Sequence, residues 1–204
     1  MDPPSSITLV LLARSGDRGA LNELLSEVQD GLYGYLVRLV DDRHLAEDIL
    51  QEVFVLIWRK LRWLRDPEIF RPWAYRIASR EAFRQLRKHR VQAREFGEEA
   101  LVAGMPAREA PPFPQEWAEA LPGLLALLSP ASRAVLILHY VQGMTLNEVA
   151  DVLEVSPGTV KSRLAYGLAA LREKIGPDGS LPPAAQPRHD LPDYQTGAFR
   201  VRTD

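Results

Sequence analysis

The chain has 204 residues, 46% of them hydrophobic, and a formal net charge of -2, which fits one or two globular domains. It contains no cysteine, and its 4 histidines lack the spacing of metal ligands; this excludes disulfides and thiolate metal sites, and we expect no metal and no other cofactor. No apolar run is long enough to span a bilayer, and the N-terminus lacks the basic residues and cleavage pattern of a signal peptide, so we expect a cytoplasmic protein with no membrane insertion.

Residues 8–94 form the first predicted domain, a helical bundle. Leucines and valines between residues 21 and 39 have helical spacing, although Gly31 and Gly34 are expected to weaken this helix in its middle. Asp41 or Asp42 can cap the next helix, and the sequence leaves that choice open.

The helix that follows has one apolar side and one polar side. Its apolar stripe consists of Leu45, Ile49, Val53, Leu56, Ile57, Leu61 and Leu64. Asp48, Gln51 and Glu52 lie on the other side, where a firm core could present them to a partner. Charge alone indicates a solvated acidic face.

A strongly basic helix begins after a break at Asp66 and Pro67. Residues 59–94 have a net charge of +9. The helix carries a basic ridge, which we define as Arg76, Arg80, Arg84, Arg87 and Lys88. Like charges at this spacing repel each other, which favours a polyanionic partner over a purely structural role.

Aromatic residues lie among these positive charges, namely Trp63, Phe70, Trp73 and Tyr75. Such a combination suits unstacked bases and phosphates. Trp73, however, shares a helix face with Phe70 and Ile77, which favours a place in the core. The arginine spacing is therefore the better indication of nucleic-acid binding.

Two segments lack sustained periodicity. Residues 95–120 are acidic and contain four prolines, which predicts an irregular linker. Residues 177–204 form a proline-rich tail, predicted to be poorly ordered when free. Regulation through a partner or through the protein's own domains is a hypothesis for this tail.

Residues 121–176 form the second predicted domain, which ends in a helix-turn-helix. Ser129 and Pro130 can start a helix that ends near Gly143. Thr145 and Glu148 have the spacing of a capping box for the next helix, and Ser156 can cap the last one. The apolar stripe of that last helix consists of Val160, Leu164, Leu168 and Leu171.

The outward face of the last helix is predicted to read DNA. It carries Thr159, Ser162, Ala165 and Tyr166, flanked by Lys161 and Arg163. In a major groove, Lys161 and Arg163 are placed to hold phosphates, and Ser162 and Tyr166 to reach base edges. A helical hairpin inside a larger bundle is the simpler alternative.

The expected fold is all-α, with two small helical domains joined by the linker. Three segments together resemble a known family: DDRHLAEDILQEVFVLIWRKL, FRPWAYRIASREAFRQLRKHR and LSPASRAVLILHYVQGMTLNEVADVLEVSPGTVKSRL. They are similar to the bacterial sigma-70 factors, most of all to the extracytoplasmic-function (ECF) subclass. The joint occurrence of these segments, in the family's order and separation, is more specific than any one of them alone.

The resemblance implies an initiation factor, not an enzyme, that binds core RNA polymerase and promoter DNA and promotes melting. Residues 8–94 would then be sigma region 2, with Asp48, Gln51 and Glu52 contacting the polymerase. The -10 element would be bound by Trp73 and the basic ridge. Residues 121–176 would be region 4, with the -35 element bound by Thr159, Lys161, Ser162, Arg163 and Tyr166. An anti-sigma factor is a further partner usual in the family.

The linker has two interpretations. Residues 95–157 have a net charge of -7. The resemblance implies that the linker follows a positively charged channel of the polymerase, whereas charge alone is equally typical of a solubilising spacer.

This sequence also departs from the family. Many ECF proteins have asparagine where Ser79 and Arg80 align and aspartate near Arg84, and many have an arginine close to Tyr166 and a bulkier residue at Ala165. The bases read at either element therefore do not follow from the resemblance.

Two other functions remain open at this point. The last helices also resemble those of LuxR-type regulators, which bind DNA as dimers without core polymerase, although residues 1–94 do not look like a sensor domain. The second open function is that of an adaptor that has lost promoter binding and keeps only polymerase binding.

Overall fold

The structure is a computed structural model that describes residues 5–92 and 121–174. Within these ranges the regular elements are helices and no β-strand is present, which confirms the all-α prediction. The predicted linker and tail lie outside the described residues. The chain divides into two compact units, with the main boundary between Glu95 and Phe96.

The N-terminal unit contains four α-helices: α1 (Ser6–Arg14), α2 (Arg18–Val40), α3 (Arg43–Lys60) and α4 (Phe70–Gln92). Two short 3₁₀ turns, Leu61–Trp63 and Pro67–Ile69, connect α3 to α4. Asp66 caps the second turn through a hydrogen bond from the backbone N–H of Glu68, at the predicted break.

Asp41 and Asp42 have separate tasks between α2 and α3. Asp42 caps α3, because its carboxylate accepts a hydrogen bond of 3.0 Å from the backbone N–H of Leu45. Asp41 ends α2 in the left-handed conformation, with φ of 57°. Two adjacent aspartates therefore end one helix and begin the next.

Helix α2 runs without interruption through Gly31 and Gly34. The guanidinium of Arg38 turns back to donate a hydrogen bond of 2.9 Å from its Nη1 to the carbonyl of Gly34. A Cβ at position 34 would lie only 2.8 Å from that Nη1. The glycine therefore makes room for an arginine contact, and the soft point expected from helix propensity is not seen.

The core of the N-terminal unit lies between α2, α3 and α4. Most of the predicted α3 stripe is buried, whereas Leu45 and Leu56 are half-buried. Tyr35 of α2 and Tyr75 of α4 pack edge to face, with ring centroids 5.6 Å apart. These packed faces fix α3 and α4 and so determine which of their side chains remain outside.

The described part of the chain after the predicted linker contains α5 (Leu121–Ala126), α6 (Pro130–Leu136), α7 (Leu146–Leu153) and α8 (Pro157–Lys174). Helix α6 continues as one π-helical turn, Ile137–Val141, and the chain reverses at Gly143 with φ of +68°. The buried Arg133 donates from Nη2 to the carbonyls of Ala126 and Leu128, at 3.1 and 3.0 Å, and so satisfies acceptors at the end of α5.

Helices α6 and α8 cross at a glycine. Gly167 of α8 is buried, and a Cβ added there would lie 2.6 Å from Cδ1 of Leu136. The absence of a side chain at position 167 therefore allows α8 to rest directly on α6. This contact sets the inner face of α8 and, with it, the face that points away.

Candidate functional site

Helices α7 and α8 form the predicted helix-turn-helix. The hydroxyl of Thr145 accepts from the backbone N–H of Glu148 at 3.2 Å, and the Glu148 carboxylate accepts from the backbone N–H of Thr145 at 2.7 Å. This reciprocal pair is the capping box expected from the sequence. Glu154, with φ of 55°, ends α7 in the left-handed conformation, and the backbone N–H of Val155 donates a hydrogen bond to the carbonyl of Ala150.

The buried side of α8 contains the predicted apolar stripe, so its other side is available to a ligand. Tyr166 is 45% exposed there. Thr159, Lys161, Ser162, Ala165 and Arg163 are half-buried. The structure thus brings the predicted residues onto the surface of one helix, as the groove-reading arrangement requires.

Two hydroxyls on this face already have protein partners. The Thr159 and Ser156 hydroxyl oxygens are 2.9 Å apart, and Ser162 Oγ donates to the carbonyl of Thr159 at 3.0 Å. Ser156 also caps α8 by accepting from the backbone N–H of Thr159. Ser162 retains acceptor capacity, because its hydroxyl donor is engaged within the helix. Either Thr159 or Ser156 can be the donor of the bond that joins their hydroxyls.

The polar face of α3 is exposed as the sequence predicts. Asp48, Gln51 and Glu52 are all solvent-exposed, whereas Ile49 and Val53 between and beside them are fully buried. The three polar side chains therefore stand on a helix whose opposite face is fixed in the core. Such an acidic surface suits a partner that offers positive charge.

Most of the basic ridge on α4 is exposed. Arg80, Arg84, Arg87 and Lys88 face solvent, whereas Arg76 is half-buried and its Nε is buried without a hydrogen-bond partner. Trp73 is half-buried beside Phe70, with ring centroids 6.1 Å apart. The exposed members of the ridge are therefore the ones best placed to meet phosphates.

The burial of the aromatic residues corrects one expectation. Phe70 and Tyr75 are buried, so their rings are not available to unstacked bases. Trp63 is 62% exposed, and the guanidinium of Arg62 lies 3.9 Å from the centroid of its ring. Periodicity indicated a core position for Trp73 beside Phe70; Phe70 is buried, whereas Trp73 is half-buried. The burial of Tyr75 did not follow from that pattern.

The sequence-based reading missed Glu81, a carboxylate inside the basic ridge. Its Oε2 accepts a hydrogen bond of 2.8 Å from Arg84 Nε, and its Oε1 accepts from Arg84 Nη2 and from Gln85 Nε2. The hydrogen bonds from Arg84 lower the pKa of Glu81, which therefore stays charged at neutral pH. The i, i+3 spacing of Glu81 and Arg84 was the available signal.

Within residues 5–92 and within residues 121–174, no group of three or more acidic or histidine side chains is arranged to hold a metal ion. None of the helices in those ranges is both long and apolar enough to cross a bilayer.

Two family models match the chain in sequence order. Sigma-70 region 2 matches residues 24–91, and sigma-70 region 4 matches residues 124–173. The first match includes α3 and α4 with the acidic face and the basic ridge, and the second includes the helix-turn-helix.

Known proteins agree with these matches. The ECF RNA polymerase sigma factor SigL of Mycobacterium tuberculosis is 30% identical over 166 residues, covering 78% of this chain and 91% of SigL. RfaY of Xanthomonas campestris, named as a probable RNA polymerase sigma factor, is 30% identical over 169 residues, but the chain spans only 42% of RfaY's length. The fold is similar to that of the sigma factor RpoE of Bartonella quintana, solved with the anti-sigma factor NepR: the TM-score is 0.58 at 21% identity, over 74% of this chain and 94% of RpoE.

These matches decide between the two DNA-binding alternatives. A LuxR-type regulator shares only a helix-turn-helix, whereas both sigma regions are present here in order. The chain therefore belongs to the sigma-70 family of RNA polymerase sigma factors and is a member of its ECF group.

Proposed function

We propose that this sigma factor binds core RNA polymerase through the acidic face of α3 and promoter DNA through α4 and α8. The observation that carries the proposal is that both sigma-70 regions match and that their predicted contact residues stand largely on exposed helix faces. Phosphodiester synthesis belongs to the polymerase, so the chain itself needs no catalytic group. Its work is to bind, orient and open DNA, in the compartment where the polymerase acts, the cytoplasm.

The polymerase contact is assigned to Asp48, Gln51 and Glu52. They are exposed on one helix whose other face is buried, so they keep their spacing without rearrangement of the core. A rigid acidic surface attracts and orients a positively charged partner.

The -10 contact is assigned to the basic ridge, with Trp73 at its N-terminal end. Unstacking promoter bases costs about a few kcal/mol per base, and contacts to phosphates and bases must offset that cost. Arg80, Arg87 and Lys88 are exposed and supply positive charge along one helix. Because Trp73 is half-buried beside Phe70, it shapes the surface near the start of α4.

The -35 contact is assigned to the outward face of α8. Lys161 and Arg163 are proposed to hold phosphates, and Tyr166, which is the most exposed of the five, to reach a base edge. Ser162 offers an acceptor, since its hydroxyl donor is engaged by the carbonyl of Thr159, and Thr159 stands beside it on the same face.

An anti-sigma factor is proposed as a further partner. The support is the fold similarity to RpoE, whose structure was solved with such a protein. A partner that covers the acidic face of α3 would compete directly with core polymerase.

The polymerase contact is tested by the affinity of the full-length protein for core RNA polymerase. We expect the triple variant Asp48→Ala, Gln51→Ala, Glu52→Ala to bind at least about tenfold more weakly, which corresponds to about 1.4 kcal/mol. A matched control changes Glu23, Gln29 and Asp30 to Ala, because these residues have the same side-chain types and are exposed on α2. Equal loss of affinity in the two triple variants, or no loss in the first, contradicts the assignment.

A further inference from the structure

Glu81 has an exceptional position in α4. It is the only acidic residue in the sequence of this helix, among seven arginines and lysines. It is also 6% exposed, although Arg80 and Arg84 on either side of it are exposed. A carboxylate held at the base of a positive surface changes the charge that this surface presents.

The contacts of Glu81 direct its effect to Arg84. Both carboxylate oxygens accept from one edge of the guanidinium, from Nε and Nη2, and Gln85 adds a hydrogen bond of 3.0 Å. A two-point pair of this kind is stronger and more directional than a single ionic contact. The side chain of Arg84 nevertheless remains 46% exposed, so the pair lies at the surface of the ridge.

A second carboxylate acts on Arg84 from the neighbouring helix. The hydrogen bonds and the charge of Glu81 raise the pKa of Arg84, and the charge of Glu52 on α3 adds to this effect. The charge of Glu81 also acts on Lys88, but neither Arg87 nor Lys88 forms an ion pair of this kind among the described residues.

We infer that Glu81 is a positioning residue that holds and neutralises Arg84, so that the ridge meets DNA phosphates chiefly through its other members. The inference rests on the proposed DNA contact of α4. Arg84 would add its charge to DNA binding only after it leaves Glu81. The pair thereby limits how tightly the ridge binds single strands of any sequence.

The dependence of DNA affinity on salt measures how many phosphates the basic ridge neutralises. Each phosphate neutralised on a single strand contributes a slope of about 0.7 to the fall of log affinity with log salt. We expect Glu81→Gln, in the full-length protein with a labelled mixed-sequence single strand, to bind more tightly and to steepen the slope by about 0.7. Between about 50 and 200 mM salt, the advantage over the wild type should shrink about threefold.

Further variants and one control identify the source of any change in the salt slope. The double variant Glu81→Gln, Arg84→Ala should keep the wild-type slope, because it removes both charges of the pair, whereas Arg87→Ala should reduce the slope by about 0.7. The same double variant should abolish the gain of Glu81→Gln. Glu23→Gln, which removes an exposed negative charge on α2, controls for a general change of net charge.

The outcomes separate this inference from the proposed function. If Arg87→Ala lowers the slope but Glu81→Gln does not raise it, the role of Glu81 is wrong and the ridge still binds DNA. If neither variant changes binding, or if neither the wild type nor Glu81→Gln binds the strand, the DNA contact of α4 fails as well. Should Glu81→Gln unfold, Glu81→Ala takes its place, and an unchanged slope with that variant would overturn the inference.

Discussion

The hydroxyl of Tyr35 lies 2.8 Å from Oγ of Ser79, and both side chains are buried between α2 and α4. Ser79 donates its proton to the carbonyl of Tyr75 at 2.8 Å, so the Tyr35 hydroxyl is the donor to Ser79. Ser79 is therefore a core residue. Of the two adjacent positions Ser79 and Arg80, only Arg80 faces solvent.

Removing the Ser79 hydroxyl should destabilise the protein more than removing the Tyr35 hydroxyl. Ser79→Ala leaves the buried Tyr35 hydroxyl without its acceptor and should lower the free energy of unfolding by about 1–3 kcal/mol. Tyr35→Phe leaves Ser79 bonded to Tyr75 and should cost about 1 kcal/mol. Urea denaturation measures both, with Ser26→Ala on the exposed side of α2 as control. A Ser79→Ala cost no larger than that of the control would contradict this role.

The crossing of α6 and α8 predicts intolerance to a single methyl group. Gly167→Ala places a Cβ 2.6 Å from Leu136 Cδ1 and should cost about 1–3 kcal/mol through overpacking. Gly158→Ala, also in α8, meets nothing closer than Ser156 Oγ at 3.7 Å and should be neutral or stabilising. Thermal unfolding of the two variants gives the comparison, and equal melting temperatures would show that the crossing adjusts freely.

Buried tyrosines predict a loss of stability at alkaline pH. Burial raises the pKa of Tyr75 to about 12, and burial also raises the pKa of Tyr35. A tyrosine of the unfolded chain ionises near pH 10, so the folded state holds its protons more tightly above that pH. The free energy of unfolding should therefore fall as the pH rises from about 10 to 12. Tyr35→Phe should make this fall shallower; an unchanged pH dependence would contradict the assignment to the buried pair.

Two residues of α8 should affect promoter binding differently. Lys161→Ala removes the proposed phosphate contact, so it should weaken binding to all duplexes alike and reduce the salt slope by about 0.9. Tyr166→Phe removes a hydroxyl proposed to reach a base edge, so it should reduce discrimination between the -35 sequence and its mismatches. Competition binding of the polymerase complex with matched and mismatched duplexes measures both effects. Parallel losses on every duplex for both variants would argue against base reading by Tyr166.

Local signals predicted the helix ends well. The capping box of Thr145 and Glu148 and the cap at Ser156 depend on residues three positions apart, so the sequence alone contains the interacting groups. Asp41 and Asp42 were harder to separate, because either one satisfies the same local pattern and only the packing of α2 against α3 decides.

Side-chain contacts, both within a helix and between helices, were the part that the sequence analysis did not reveal. Gly34 looked like a weak point because helix propensity ignores the returning side chain of Arg38. Gly167 has its meaning only through Leu136, which is 31 positions away in the chain. Glu81 was overlooked because the arginines around it dominate the charge count, although its contact with Arg84 is local.

The central claim is that this chain gives core RNA polymerase a promoter specificity, and mapped transcript starts test it most directly. The full-length protein is added to core polymerase with a genomic promoter library, and starts are compared with those of core polymerase alone. We predict a stable complex and new starts that share a spaced pair of upstream elements, and the Asp48, Gln51, Glu52 triple variant should lose both. Binding of DNA without polymerase, together with no stable complex and no new starts, would contradict the account.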